Sequence, residues 1–206
     1  MMKREVRTMD RSEARARGIA ARRALGAEAR TMAETALVRN VAALPEFAAA
    51  RTVMIYRARD GEPSPEGLRA LPEAAGKRFV YPRCVDGATM EALLPDDASI
   101  SPDAAASVPF LRDASGLPAP DPSRSALVPP ESVDLVLCPC TACDPRGFRL
   151  GSGRGYYDRY LPRCRRARFF ALAFEAQIFP LPAPGEWDIP MDGVVSEKTV
   201  RRSPAH

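Results

Sequence analysis

The sequence predicts an α/β fold with a mainly parallel central sheet, and three observations carry that expectation. Pro-free segments of helical periodicity alternate with short runs rich in β-branched and aromatic residues. One such run, Asp134-Leu135-Val136-Leu137-Cys138-Pro139, is apolar through its middle and closed by proline, which suits a strand buried on both faces of a parallel sheet. It leads into a glycine-rich turn and then a helical pattern, an order that puts the turn at a strand's carboxyl end, where open α/β sheets bind ligands. With 206 residues, 46% of them hydrophobic, the chain suffices for one substantial core and divides poorly into two, so a single domain over residues 1–206 is expected.

Residues 10–24, rich in Ala, Arg and Glu, predict a first helix, and residues 27–44 a second, with Ala33, Leu37, Val41 and Leu44 at helical spacing and Gly26 between the two. The second carries an apolar stripe for packing on a sheet; the first is so basic that much of it must face solvent or ligand. Arg51-Thr52-Val53-Met54-Ile55-Tyr56 predicts a strand, and Arg57 to Pro65 its loop, where Glu62 is by default a solvated surface acid. Residues 65–75 predict a short helix closed by Gly76, Arg78 to Pro82 a second strand, and Met90 to Leu94 a third. From Pro95 to Pro130 the chain is dense in Pro, Ala, Ser and Asp without periodicity, which predicts a long surface excursion. Within it, Gly116-Leu117-Pro118-Ala119-Pro120 has the proline-stiffened character of a lid edge. Arg168 to Phe174 predicts another buried strand, followed by Gln177, three spaced prolines, and Asp188, whose ordinary role in such a segment is an Asx-turn. Val194-Val195 predicts a short final strand.

Composition narrows the function classes. The net charge of +4 is mild, yet basic residues cluster in the first thirty positions and again from Arg146 to Arg168, which favours a small polyanion or RNA over a neutral ligand. Aromatics make up only 7% and fall mostly in predicted strands, so no stripe of stacking platforms supports nucleic acid. Five cysteines, an odd number, do not read as a disulfide framework, and no apolar stretch approaches membrane length; a cytoplasmic protein without a membrane partner is expected. The only histidine is His206, which argues against histidine-based acid–base catalysis and metal ligation.

The densest chemistry lies in Arg149-Leu150-Gly151-Ser152-Gly153-Arg154-Gly155-Tyr156-Tyr157-Asp158. Glycines at alternate positions permit backbone angles closed to other residues, so successive N–H groups can converge on an anion, phosphate above all. Arg149 and Arg154 add forked donors, and the helix that starts after Gly155 turns its positive end the same way. Asp158, in that first turn, either caps the helix dipole or offers a carboxylate to a magnesium ion beside phosphates. The turn is neither a P-loop nor a dinucleotide fingerprint.

The stretches Asp134 to Pro139 and Gly147 to Leu161 together resemble the signature of the 5-formyltetrahydrofolate cyclo-ligase family, and the similarity covers nearly the whole chain. Supporting pieces are the basic helix from Arg11, Tyr56 with Glu62 six residues on, Gly76-Lys77 leading to Tyr81-Pro82-Arg83, and Ala171 to Phe174 with Gln177 and Asp188. The resemblance implies a three-layer α/β/α sandwich, ATP and Mg²⁺ as cofactors, and a monomer. The reaction it implies is cyclisation of 5-formyltetrahydrofolate, with or without a polyglutamate tail, to 5,10-methenyltetrahydrofolate, with release of ADP and phosphate. It assigns Arg11, Arg15, Arg149, Leu150, Gly151, Ser152, Gly153, Arg154, Gly155, Tyr156 and Tyr157 to the nucleotide. Tyr56, Arg57, Glu62, Gly155 and Tyr156 go to the folate, Asp158 and Asp188 to the metal, and Arg154, Tyr156 and Asp158 to catalysis.

The chain departs from the family's usual pattern in several places. Arginines at positions 11 and 154 stand where lysine is frequent, Ser152 replaces Arg or Gly, and Pro63-Ser64-Pro65 follow Glu62. Cys140 and Cys143 replace a glycine and an aromatic. These departures leave two alternatives open: an ATP-dependent paralogue acting on another folate or pterin, and a non-catalytic nucleotide- or RNA-binding regulator. Cys138, Cys140, Cys143 and Cys164 could in principle bind zinc or an iron–sulfur cluster, but they match no arrangement of paired Cys-x-x-Cys units, and a small buried thiol in a strand is ordinary.

Overall fold

In the computed structural model, which describes residues 9–96 and 110–204, the chain opens with α1 (Arg11–Arg23). Asp10 caps it, accepting from the N–H groups of Ser12 and Glu13, while Glu13 accepts from the N–H of Asp10. The buried face of α1 is Ala14, Gly18 and Arg22, one residue every four. A Cβ added at Gly18 would lie 2.0 Å from the carbonyl oxygen of Thr141, so only glycine lets this helix approach so closely. Gly26 starts α2 (Ala27–Ala42), and α3 (Pro45–Ala49) follows with proline in its first turn.

The strands are β1 (Thr52–Met54), β2 (Arg78–Cys84), β3 (Met90–Pro95), β4 (Phe110–Arg112), β5 (Pro118–Pro120), β6 (Ser125–Val128), β7 (Leu135–Pro139), β8 (Ala142–Cys143) and β9 (Arg149–Leu150). The five-residue α4 (Tyr156–Tyr160), β10 (Arg168–Leu172), β11 (Gly193–Val195) and β12 (Val200–Arg202) complete the described elements. Eight strands form one sheet in the order β12-β11-β10-β7-β1-β2-β3-β6. Strands β2, β1, β7, β10 and β11 run parallel, and β3, β6 and β12 add antiparallel edges.

Alternation along the central strands divides the core. Val53, Ile55, Leu135, Leu137, Phe170 and Leu172 pack with Leu37 and Val41 of α2 and Phe47 of α3. Met54, Val136, Cys138, Ala171 and Val194 pack on the opposite side with Tyr160 and Leu161. Helices therefore cover both faces, as expected of an α/β/α sandwich, with the second layer reduced to α4 and the turn after it. Ala33, Leu37, Val41 and Leu44 are all buried, as their spacing predicts.

Several expectations need correction. The helix expected over residues 65–75 is two short 3₁₀ helices, Glu66–Ala70 and Pro72–Ala74, because Pro72 cannot donate the hydrogen bond that would continue the first. Gly76 does end the segment, at φ 75°. The expected excursion from 95 to 130 holds the β4–β5 hairpin and the edge strand β6, while residues 97–109 lie outside the described residues. Only Val128 of β6 is buried, so that strand leaves no apolar alternation in the sequence. Val194-Val195 is not the final strand: β12 pairs with β11, and its two arginines disguise it, as charged edge strands tend to. His206 lies outside the described residues.

Candidate active site

A cavity of about 870 Å³ opens at the carboxyl ends of β1, β2 and β7, lined there by Tyr56, Pro82, Pro139 and Cys140. The volume falls in the upper part of the range of about 300–1,000 Å³ common for ligand sites. Residues 151–159 form one wall and α1 another. Eight arginines and five carboxylates line it, an excess of positive charge suited to a polyanion.

The glycine turn has the backbone its sequence suggests. Gly153 and Gly155 take φ of 94° and 68°, the left-handed region. Among the described residues, none of the main-chain N–H groups from Gly151 to Gly155 donates a hydrogen bond. Residues 151–155 all line the basic cavity, so these free N–H groups are open to an anion bound there.

Arginines brace this turn. Arg15 Nε donates to the carbonyl of Gly151 at 3.0 Å, tying α1 to the turn. Arg149 is 6% exposed; its Nη2 reaches Asp158 Oδ1 at 2.9 Å and its guanidinium lies 5.3 Å from the Tyr157 ring centre. Arg154 is exposed and donates to the carbonyl of Ser115 in the β4–β5 turn at 3.0 Å. Gly116 to Pro120, expected as a lid edge, is that turn and β5, and Leu117 and Pro118 line the cavity.

Other expected site residues take more specific places. Leu150 is not among the lining residues: its side chain packs with Ala14, Ala142 and Phe179, and its carbonyl accepts from the N–H and hydroxyl of Thr141. The Tyr56 hydroxyl donates to the Pro63 carbonyl and the Tyr156 hydroxyl to that of Asp86, so both rings line the cavity with their hydroxyls committed. Arg57 lies over the Phe110 ring and 3.4 Å from Glu66. Ser152 is exposed on the turn.

Asp188 and Asp158, both expected at a metal, differ in what they leave free. Asp188 accepts from Arg11 through both oxygens, at 2.6 and 2.8 Å, and from the N–H of Gly185, a geometry that does not fit a metal ligand. Asp158 spends one oxygen on Arg149, and its Oδ2 has no partner among the described residues, which fits one carboxylate to a phosphate-borne magnesium ion. Among the described residues, no group of three or more His, Cys, Asp or Glu side chains could hold a metal. Cys140 needs no left-handed backbone, so its replacement of glycine is unstrained; its thiol donates to the Leu172 carbonyl.

The hydrogen bonds from Arg11 hold the Asp188 carboxyl below its ordinary value of 3.8. A depressed acid stabilises the fold above its unfolded value and loses that contribution as pH falls through the folded one. The Asp188→Asn variant should therefore be less stable than wild type at pH 7, and the gap should begin to narrow as pH falls below about 4, as chemical denaturation at several pH values would register. A gap that stayed constant as pH fell all the way to acid unfolding would mean that the ion pair is not its source.

The Tyr56 and Tyr157 phenols and the Cys84 thiol that line the cavity are held in their protonated forms. Burial pushes the Tyr56 and Tyr157 phenols well up, raises Cys84, and lifts Cys138 to about 12. Such a site suits a reaction between two bound molecules.

Sequence reasoning missed Arg22, Thr141, Asp113 and Arg159, all lining residues. Arg22 continues the Ala14, Gly18 line at four-residue spacing, a signal available in the sequence. Asp113 accepts from Cys84, Ser115 and Leu117, fastening the β4–β5 hairpin to the end of β2, and nothing local to the sequence foretells that.

Residues 7–197 match the 5-formyltetrahydrofolate cyclo-ligase family. A mouse 5-formyltetrahydrofolate cyclo-ligase is 41% identical over 70 residues, spanning 32% of this chain and 34% of the mouse protein. A Haemophilus influenzae relative of the same name is 27% identical over 161 residues, 77% of this chain and 82% of that one. The solution structure of Aquifex aeolicus 5,10-methenyltetrahydrofolate synthetase superposes with a TM-score of 0.76 at 31% identity, covering 96% of this chain and 95% of its own. On the strength of that near-complete match and a like-folded relative along its whole length, the chain belongs to the 5-formyltetrahydrofolate cyclo-ligase family.

Proposed function

We propose that the protein cyclises 5-formyltetrahydrofolate to 5,10-methenyltetrahydrofolate, consuming ATP and releasing ADP and phosphate. Family membership suggests the reaction. The observation that ties it to this chain is the run of unpartnered main-chain N–H groups from Gly151 to Gly155 in an arginine-lined cavity.

A formyl group on nitrogen is a poor electrophile, and its oxygen leaves badly. The formyl oxygen therefore attacks the γ-phosphorus and ADP departs. N10 then attacks the activated carbon and gives up its proton, the N5–C double bond forms, and phosphate leaves with the oxygen. Catalysis of phosphoryl transfer rests on alignment and charge neutralisation rather than on a side-chain nucleophile, in keeping with the protonated phenols of this cavity.

In this reading the glycine-turn amides, Arg15 and Arg154 take the phosphate oxygens, and Asp188 serves by holding Arg11 in place. Magnesium bound with the nucleotide supplies further charge neutralisation, and Asp158 is the residue that would hold it. Tyr56, Arg57 and Glu62 face the folate, and Tyr156 and Tyr157 wall the space between the two ligands. Five free, buried cysteines suit the reducing cytoplasm, and among the described residues no helix is long and apolar enough to cross a membrane.

Two signals from one mixture test this. With 5-formyltetrahydrofolate and magnesium ATP, the near-ultraviolet absorbance of the methenyl product should grow, and only when ATP is present. Trp187, the sole tryptophan, stands 78% exposed at the cavity, so its emission should change on adding magnesium ATP. An emission change without the methenyl band would favour the paralogue or the non-catalytic nucleotide binder. Absence of both would overturn the reading.

A further inference from the structure

We propose that Arg22 is a positioning residue, which reaches from the first helix to fix the Arg59–Glu62 turn and hold the Glu62 carboxylate toward the folate end of the cavity. The inference rests on the function proposed above and adds to it a residue on a different element from the glycine turn.

Arg22 is 3% exposed, an unusual state for an arginine, and it lines the cavity. Its Nε donates to the Asp60 carbonyl at 3.0 Å, and its Nη1 reaches Glu62 Oε1 at 3.4 Å. The turn it holds is conformationally costly. Asp60 takes φ 48°, the one positive value among the described non-glycine residues, and Gly61 follows at 76°. The N–H of Glu62 closes the turn on the Arg59 carbonyl at 2.8 Å, and the N–H of Arg59 donates to Glu62 Oε2 at 3.2 Å. From below, Arg30 donates to the carbonyls of Arg22 and Leu25, and its guanidinium fills the space where a Cβ at Gly61 would sit. Two arginines thus clamp one strained turn, and the turn presents a single buried carboxylate.

Burial disfavours that carboxylate, and Arg22 opposes the effect. The charged and titratable groups around Glu62 are Arg22 from α1, Arg59 and Asp60 from its own turn, Tyr56 after β1 and Tyr157 from α4. Arg30 of α2 packs against Gly61 in the same turn, but it is Arg22 that reaches the Glu62 carboxylate itself. Without it, Glu62 would take up its proton at higher pH and its turn would lose an anchor.

The test is steady-state kinetics of Arg22→Met, Arg22→Lys, Glu62→Gln and the Arg22→Met, Glu62→Gln double variant across pH. Arg22→Met should raise KM for 5-formyltetrahydrofolate on the order of tenfold or more, as loss of a buried charge-assisted bond does, while KM for ATP stays within about twofold. The acid limb of kcat/KM for the folate should move to higher pH in Arg22→Met and vanish in Glu62→Gln. Arg22→Lys keeps a charge but not the fork, so it should restore the limb while KM stays raised; it also carries the test should Arg22→Met not fold. In the Glu62→Gln background, Arg22→Met should add little. An unchanged folate KM and acid limb, equal losses for ATP and folate, or fully additive effects would each overturn the inference. A wild-type protein without cyclisation would instead remove the function on which it rests.

Discussion

Replacing Arg154 by alanine is expected to lower turnover about a hundredfold or more, because loss of one preorganised charge donor costs about 3 kcal/mol at a site where transition-state charge develops. The melting temperature should barely move. Arg154 is exposed, and its side chain makes one hydrogen bond, to the Ser115 carbonyl at 3.0 Å; exposed groups of this kind usually change stability by no more than about 0.5 kcal/mol. The Arg154 carbonyl that receives Arg159 Nη2 is main chain and survives the substitution. Arg154→Lys keeps a charge within reach of the phosphates and should recover most of the lost rate. Methenyl absorbance gives the rate and a thermal scan the stability. Turnover of Arg154→Ala within a few-fold of wild type would show that this guanidinium is not at the transferring phosphoryl group.

What the sequence revealed and what it hid follow from the range of the interactions. The parallel strands were legible because burial on both faces leaves unbroken apolar runs, as in Leu135 to Cys138 and Phe169 to Phe174. The glycine turn was legible because left-handed backbone selects glycine locally, at Gly153 and Gly155. Edge strands β6 and β12 were not, since a half-exposed or arginine-rich edge leaves no apolar alternation. The pairing of Arg11 with Asp188, 177 residues apart, and of Arg22 with Glu62, 40 apart, is a product of tertiary packing. Sequence supplied the charges and the fold decided which of them neutralise one another, and for that reason Asp188 moves from expected metal ligand to partner of Arg11.

Gly18→Ala should reverse the usual sign of its substitution. On an exposed helix, exchanging glycine for alanine gains up to about 1 kcal/mol through backbone entropy. Here the added methyl would meet the Thr141 carbonyl oxygen at 2.0 Å and its carbon at 2.8 Å, and main-chain atoms cannot rotate away. The helix must move instead, at a cost of about 1–3 kcal/mol, as overpacking does. At roughly 2–4 °C per kcal/mol for a chain of this length, the fall should be measurable in a thermal scan. Activity should suffer more than stability. Arg11, Arg15 and Arg22 ride on the same helix, and a displacement of about 1 Å at a catalytic site can cost on the order of a hundredfold in rate. Gly87→Ala is the matched control for stability, because a Cβ there meets nothing within 4 Å. If Gly18→Ala were as stable and as active as wild type, α1 would not be seated on the Thr141 carbonyl. Arg15 would then have no fixed base from which to hold Gly151, nor Arg22 from which to hold Glu62.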